Sequence, residues 1–247
     1  TFIKGIIMRM NKFILLAAMS ASVTNFAQAA EDMDPKGLSG AAEFGMIVTS
    51  GNSTNSTVNG KFSVENDVEK WLHTGKLSIV NSESENVTTA ERYLLKLKSN
   101  YKLGGKHFLF GGLTHDVDKF SGYDYQTSII AGYGQIIHDT DKYKLSIEIG
   151  PGYRSSKLIT GEDDQEGILH LGAVSKYIVN EATYIDSTLN IDSGSDQTIT
   201  GLELGYVNSL TQSLALKVGY DLKNSSSVPV GTKKTDTITS VSLIYSF

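Results

Sequence analysis

The sequence predicts an all-β chain, an antiparallel transmembrane β-barrel of about twelve strands with both termini periplasmic, and three observations predict it. Apolar and polar residues alternate with period two from Leu38 onward, a secretory leader precedes the alternation, and the final strand carries an alternating apolar row that ends in an aromatic. Composition agrees. Hydrophobic residues are 40% of the 247, and the chain has no run of roughly 20 apolar residues that a membrane-spanning helix would need. Twelve Tyr, nine Phe and 24 Gly against 3 Pro suit pleated strands joined by turns.

Residues 1–29 hold Lys4, Arg9 and Lys12 and no acid, then the apolar stretch from Phe13 to Met19, then Ala27-Gln28-Ala29. This order of basic start, short apolar core and small-residue end is that of a signal peptide, cleaved after Ala29. Translation is expected to begin at Met8 or Met10, and 30–247 forms one barrel domain. Without the three leader cations, 19 basic residues face 27 acidic ones, a net charge of −8 that argues against a nucleic-acid partner. The absence of cysteine excludes a disulfide scaffold and thiolate metal sites.

Strands are predicted at 38–49, 55–66, 71–81, 90–103, 107–116, 124–137, 143–154, 166–177, 183–193, 198–207, 213–223 and 235–247, about 18 residues per strand and connection. The fourth is the clearest. Tyr93, Leu95, Leu97, Tyr101 and Leu103 fall on one face, and Arg92, Leu94, Lys96, Lys98, Asn100 and Lys102 on the other. Leu214, Leu216, Val218, Tyr220 and Leu222 alternate in the same way with Lys217, Asp221 and Lys223. Tight turns near Asp67–Glu69, Gly104-Gly105, 139–141, Asn180-Glu181 and Ser209 are expected to alternate with longer loops at 82–89, 117–123, 155–165 and 224–234. That asymmetry is the one between periplasmic turns and external loops. Aromatics are expected in two outward belts, with Trp71, Tyr101, Phe108, Tyr143, Tyr177, Tyr206 and Phe247 on the short-turn side and Tyr93, Tyr153 and Tyr220 on the other.

Ser50-Gly51-Asn52, Ala90-Glu91-Arg92-Tyr93, Asp118-Lys119-Phe120, Gly132-Tyr133-Gly134 and above all Leu145 to Arg154, with its Gly150-Pro151-Gly152-Tyr153-Arg154 string, resemble the YdiY-like salt-induced outer-membrane proteins. The resemblance covers most of the mature chain. It implies export, a barrel and a link to salt or osmotic stress, and it supplies no catalytic or binding residues. Because Pro151 cannot donate a ladder hydrogen bond, Gly150-Pro151-Gly152 is expected to form a bulge or bend near the outer rim. Val241, Leu243, Tyr245 and Phe247 resemble the terminal signal by which outer-membrane barrels are recognised for assembly.

The five histidines, His73, His107, His115, His138 and His170, offer no convincing catalytic constellation. His115 beside Asp116 and Asp118 is the nearest to one, the histidine–serine pattern of outer-membrane phospholipases is absent, and His170 is expected in the lumen beside Lys176. Thr49–Asn55 lacks the end of a phosphate loop and reads as an external hairpin. Glu162-Asp163-Asp164 is a candidate for divalent ions or lipopolysaccharide bridging, with a solvated acidic loop the simpler reading. No cofactor is expected. Lipid, lipopolysaccharide and the barrel-assembly machinery are the expected partners.

The expected functional feature is a charged lumen. Arg92, Lys96, Lys98 and Lys102 on strand four would face Asp186 and Asp192 on strand nine and Glu203 on strand ten, which lies opposite strand four. Such walls either flank a narrow aqueous passage or close it with salt bridges. The reading is therefore a non-enzymatic outer-membrane barrel. A narrow channel for small polar solutes or ions comes first, a structural barrel with a closed lumen second and a hydrolase last.

Overall fold

A computed structural model of the chain describes residues 37–49, 55–85 and 87–247. The expected leader and the centre of the Thr49–Asn55 hairpin lie outside them. Twelve strands follow in order: β1 (Leu38–Thr49), β2 (Asn55–Val68), β3 (Trp71–Ser84), β4 (Val87–Gly104), β5 (His107–Asp118), β6 (Tyr123–Asp139), β7 (Tyr143–Leu158), β8 (Asp163–Asn180), β9 (Thr183–Gly194), β10 (Thr198–Ser209), β11 (Leu214–Ser225) and β12 (Thr235–Ser246). Each pairs antiparallel with its neighbours in sequence, and β12 returns to β1 through Ala42↔Tyr245 and Phe44↔Leu243. Closure leaves no edge, so backbone donors and acceptors are satisfied without water, as a strand-built membrane span requires.

Alternation then sorts the side chains. Leu95, Leu97, Val218 and Leu243 stand exposed on the outer face. The buried side chains among the described residues are mostly polar, Gln126, Arg154, Glu166 and His170 among them, with a few apolar ones such as Phe110, Ile168 and Val207. This is a soluble core turned inside out, which is stable only when lipid is the outer solvent.

The strands outrun their predicted ends, and the loop asymmetry shrinks accordingly. β3 and β4 pair as far as Ser84↔Val87, so the loop expected over 82–89 is a tight turn at Glu85, which has φ +51°. β7 and β8 extend to Leu158 and from Asp163, which leaves four residues where eleven were expected. Composition misled here. A ladder needs only backbone hydrogen bonds, and polar tips such as Asn81-Ser82-Glu83-Ser84 continue it as well as apolar ones do. Only the β11–β12 connection, 226–234, is long among the described connections.

Two further expectations are corrected. Phe108 is not in the aromatic belt: it pairs with Lys102 on the lumen face, buried, while Leu109 shares the outer face with Tyr101. Trp71 and Tyr101 (ring centroids 4.9 Å apart), Tyr143 and Tyr177 (6.4 Å), and Tyr206 do form a short-turn belt. Gly150-Pro151-Gly152 lies in the middle of β7 and makes no bulge. The register Tyr133↔Ile149 resumes unshifted at Ile130↔Gly152. In between, β6 and β7 approach so closely that a Cβ on Gly132 or Gly150 would strike the facing backbone. The proline's missing donor falls in this gap, while its other side stays paired through Pro151↔Leu169.

The two faces of β4 give a direct test. Leu97→Arg puts a charge against lipid near the midplane and should cost about 2–4 kcal/mol. Lys98→Leu should cost less, because it leaves Glu148 its His170 partner. Urea unfolding from lipid vesicles measures both, and equal costs would mean that the faces are misassigned.

Candidate functional site in the barrel lumen

The lumen side chains form three clusters of charge. Near the middle of the barrel, Lys96 of β4 reaches Glu203 of β10 at 2.9 Å, joining strands on opposite sides of the barrel. Lys61 meets Asp221 at 2.6 Å, and Lys217 lies 3.5 Å from Glu43 and 3.8 Å from Asp186. A cavity of about 220 Å³ lies among these groups, reaching from Ala41, Ser63 and Ser246 near the short-turn rim to Lys96 and Glu203.

A second cluster is a relay of Lys98, Glu148, His170 and Asp192. Lys98 donates to Glu148, and the two His170 ring nitrogens stand 3.1 Å from Glu148 and 2.6 Å from Asp192. Phe110 packs edge-on to the imidazole at 5.8 Å and lies under the Lys98 ammonium at 5.1 Å. Both imidazole nitrogens and the apolar ring are thus committed, leaving no open position at which a substrate could meet the histidine.

The long-loop end is closed twice. Arg92 forks onto Asp116 through two 2.8 Å bonds, and Lys223 of β11, opposite β5, reaches the same carboxylate at 2.8 Å. Beside it, Arg154 is 1% exposed and bonds Glu166 at 3.1 and 2.5 Å and the Gln197 carbonyl. Glu166 also accepts from the Asp196 and Gln197 amides, and its carboxylate fills the space where a side chain on Gly194 would stand. Gln197 ties this layer to the 226–234 loop by donating to the Ser227 carbonyl at 2.6 Å. That loop reaches across the mouth until Pro229 rests on Gly122, in the β5–β6 connection opposite, where a Cβ would come within 2.8 Å of the proline ring.

The predicted residues are therefore distributed differently from two facing walls. Of the basic set, only Lys96 meets a carboxylate of the acidic set on the opposite side. Arg92 goes to Asp116 on the adjacent strand, Lys98 to Glu148, and Lys102 to Asp67 at the short-turn rim. Asp192 holds His170, and Asp186 lies near Lys217. His170 faces the lumen with Glu148 and Asp192, rather than Lys176, as its contacts. His115 lies on the outer face with Thr127 at 2.8 Å, whereas Asp116 points inward, so that acid–histidine pair is split across the wall. Sequence reasoning missed Glu43, Lys61, Glu148, Arg154 and Glu166. Their signal was the same alternation, as in Lys61 between Val58-Asn59-Gly60 and Phe62-Ser63-Val64, read only on the clearest strands. Val241, Leu243 and Tyr245 stand exposed in a row on β12, and Phe247 follows. Among the described residues, no group of three or more acidic or histidine side chains is arranged to hold a metal ion.

A closed twelve-strand wall, apolar outside and ion-paired inside, defines a transmembrane β-barrel of the outer-membrane type. Comparison with solved structures agrees on the fold. The chain aligns with an outer membrane channel from Pseudomonas putida F1 (TM-score 0.53, 10% identity, 87% of this chain and 97% of that one). It aligns likewise with the translocator domain of the autotransporter NalP from Neisseria meningitidis (TM-score 0.50, 12% identity, 94% and 96%). By sequence the chain belongs to the family described as "Protein of unknown function, DUF481", which matches residues 42–247. It is 22% identical over 214 residues to "Uncharacterized protein YdiY" of Escherichia coli (strain K12), covering 85% of this chain and 84% of that protein. The family is thus the YdiY-like one.

Arg154 tests the closed layer. Arg154→Met strands a buried Glu166 and should destabilise the barrel by about 3–5 kcal/mol, whereas Arg154→Met with Glu166→Gln should recover most of the loss. Urea unfolding in vesicles distinguishes the two. A double variant as unstable as the single one would show that the pair's mutual compensation is not what matters.

Proposed function

We propose that this barrel resides in the bacterial outer membrane with both termini periplasmic, delivered by the leader over 1–29 and assembled through the Val241, Leu243, Tyr245 and Phe247 row. It serves there as a narrow channel for small polar solutes or ions, nearly shut at rest. The observation that carries this reading is the asymmetry of the lumen. A polar cavity reaches from mid-lumen to residues near the short-turn rim, while ion pairs and a loop held mainly by hydrogen bonds close the other end. A permanent plug would not need a cavity lined by lysines and hydroxyls, which holds water at the cost of packing. Ion pairs in a wet lumen can exchange partners, so a passing solute replaces one partner with another rather than entering a dry core. The arrangement offers no nucleophile or base with an open position, which favours passage over catalysis. Any link to salt or osmotic stress rests on the family resemblance alone.

The second reading, a structural barrel with a closed lumen, is favoured by the Lys96–Glu203 pair that spans the interior. Recordings in planar lipid bilayers separate the two. Wild-type protein should give small discrete currents, and deletion of 227–232 should raise their amplitude several-fold. Lys96→Glu with Lys98→Glu should shift the reversal potential toward cation selectivity. Insertion without current in both wild type and the loop deletion would overturn the channel and leave the structural barrel.

A further inference from the structure

We propose that the cavity in the short-turn half of the lumen is a binding site for a small organic carboxylate, held by Lys76. The proposal rests on the channel reading and gives it a ligand class. Of the three carboxylates that line the cavity, Glu203 has Lys96, while Glu43 and Asp186 share the single ammonium of Lys217 at 3.5 and 3.8 Å; nearby Asp221 has Lys61. Lys76 lines the same cavity and, among the described residues, has no ion pair or hydrogen bond.

Register explains why. Across the two ladders Lys76 faces Ser63 on β2 and Lys96 on β4, so its immediate cross-strand neighbours are a hydroxyl and a like charge. Like charges directly opposite on one face are unfavourable. Lys96 escapes by reaching across the lumen to Glu203, and Lys76 feels that same carboxylate only at longer range, without an ion pair. A further ammonium stands nearby: Lys176 sits 3.9 Å over the Tyr184 ring, which lines the cavity, and its cross-strand neighbour is Asp186.

The lining defines the ligand. Ser63 and Ser78 supply hydroxyls beside the ammonium, while Leu94 and Ile244 provide an apolar wall. One unpaired cation flanked by hydroxyls suits a monovalent carboxylate. The apolar wall suits a short carbon chain, and a multiply charged phosphate would require more donors than the cavity offers.

The test is calorimetry on the purified, folded barrel in detergent, with butyrate as probe and butylammonium as the control of opposite charge. Butyrate should bind saturably and butylammonium should not. Lys76→Gln should weaken butyrate by about tenfold or more, while Lys76→Arg keeps most of the affinity. A heat-modifiable gel shift reports whether each variant is a closed barrel. If Lys76→Gln fails to fold, the NMR signal of dimethylated Lys76 in the wild type, assigned by its loss in Lys76→Arg, decides through a saturable butyrate-dependent shift. Absence of butyrate binding, equal binding by Lys76→Gln, or an unmoved Lys76 signal would overturn the site. The site and the channel fail separately: butyrate binding with silent bilayers removes only the channel, and conduction without butyrate binding removes only the site.

Discussion

The structure depends on one constraint, the satisfaction of every backbone donor and acceptor in a medium without water. A strand-built solution must close on itself, and the β1–β12 ladder that closes this one is shorter than the others but in register with them. Once the wall is closed, the pleat decides everything else about the side chains. Odd positions of β4 meet lipid and even positions meet the lumen, so every charge the sequence places at an even position must find a partner inside. The ion-pair layers follow from the topology of the wall.

Those layers differ in what they do to the passage. At the long-loop end, Asp116 takes two cations and Arg154 is sealed among Glu166 and Gln197, so the charges there neutralise one another at close range. In the short-turn half, the pairs are longer or partly exposed and a cavity remains. Buried carboxylate oxygens of Glu43 and Asp186 have no hydrogen-bond partner there, so this half is held less completely than the other. The contrast between a buried, ion-paired long-loop end and a cavity in the other half gives the lumen a direction.

Much of this was legible in the sequence, for a physical reason. A period of two is the strongest local signal that a half-lipid strand can leave, and it placed all twelve strands in order. The ends of strands were less legible, because above the membrane nothing apolar marks where the ladder stops, as at Asn81–Ser84. Phe108 was misplaced because an aromatic near a strand end looks like a belt residue until its pairing with Lys102 is known. Parity showed which charges face inward but not which of them meet. That depends on stagger around the barrel, which brings Lys98 to Glu148 three strands away and Lys102 to Asp67 on the other side of β3.

The central claim is that charge on opposite walls meets across the lumen, and the Lys96–Glu203 pair tests it most directly. A double-mutant cycle with Lys96→Met and Glu203→Gln, measured by urea unfolding in vesicles, should give a coupling free energy of about 1 kcal/mol, in the range found for contacting residues. The exchanged variant, Lys96→Glu with Glu203→Lys, should be more stable than either reversal alone. Strict additivity in the cycle, together with an exchanged variant no better than the sum of its parts, would mean that the two walls do not touch and would contradict this account of the lumen.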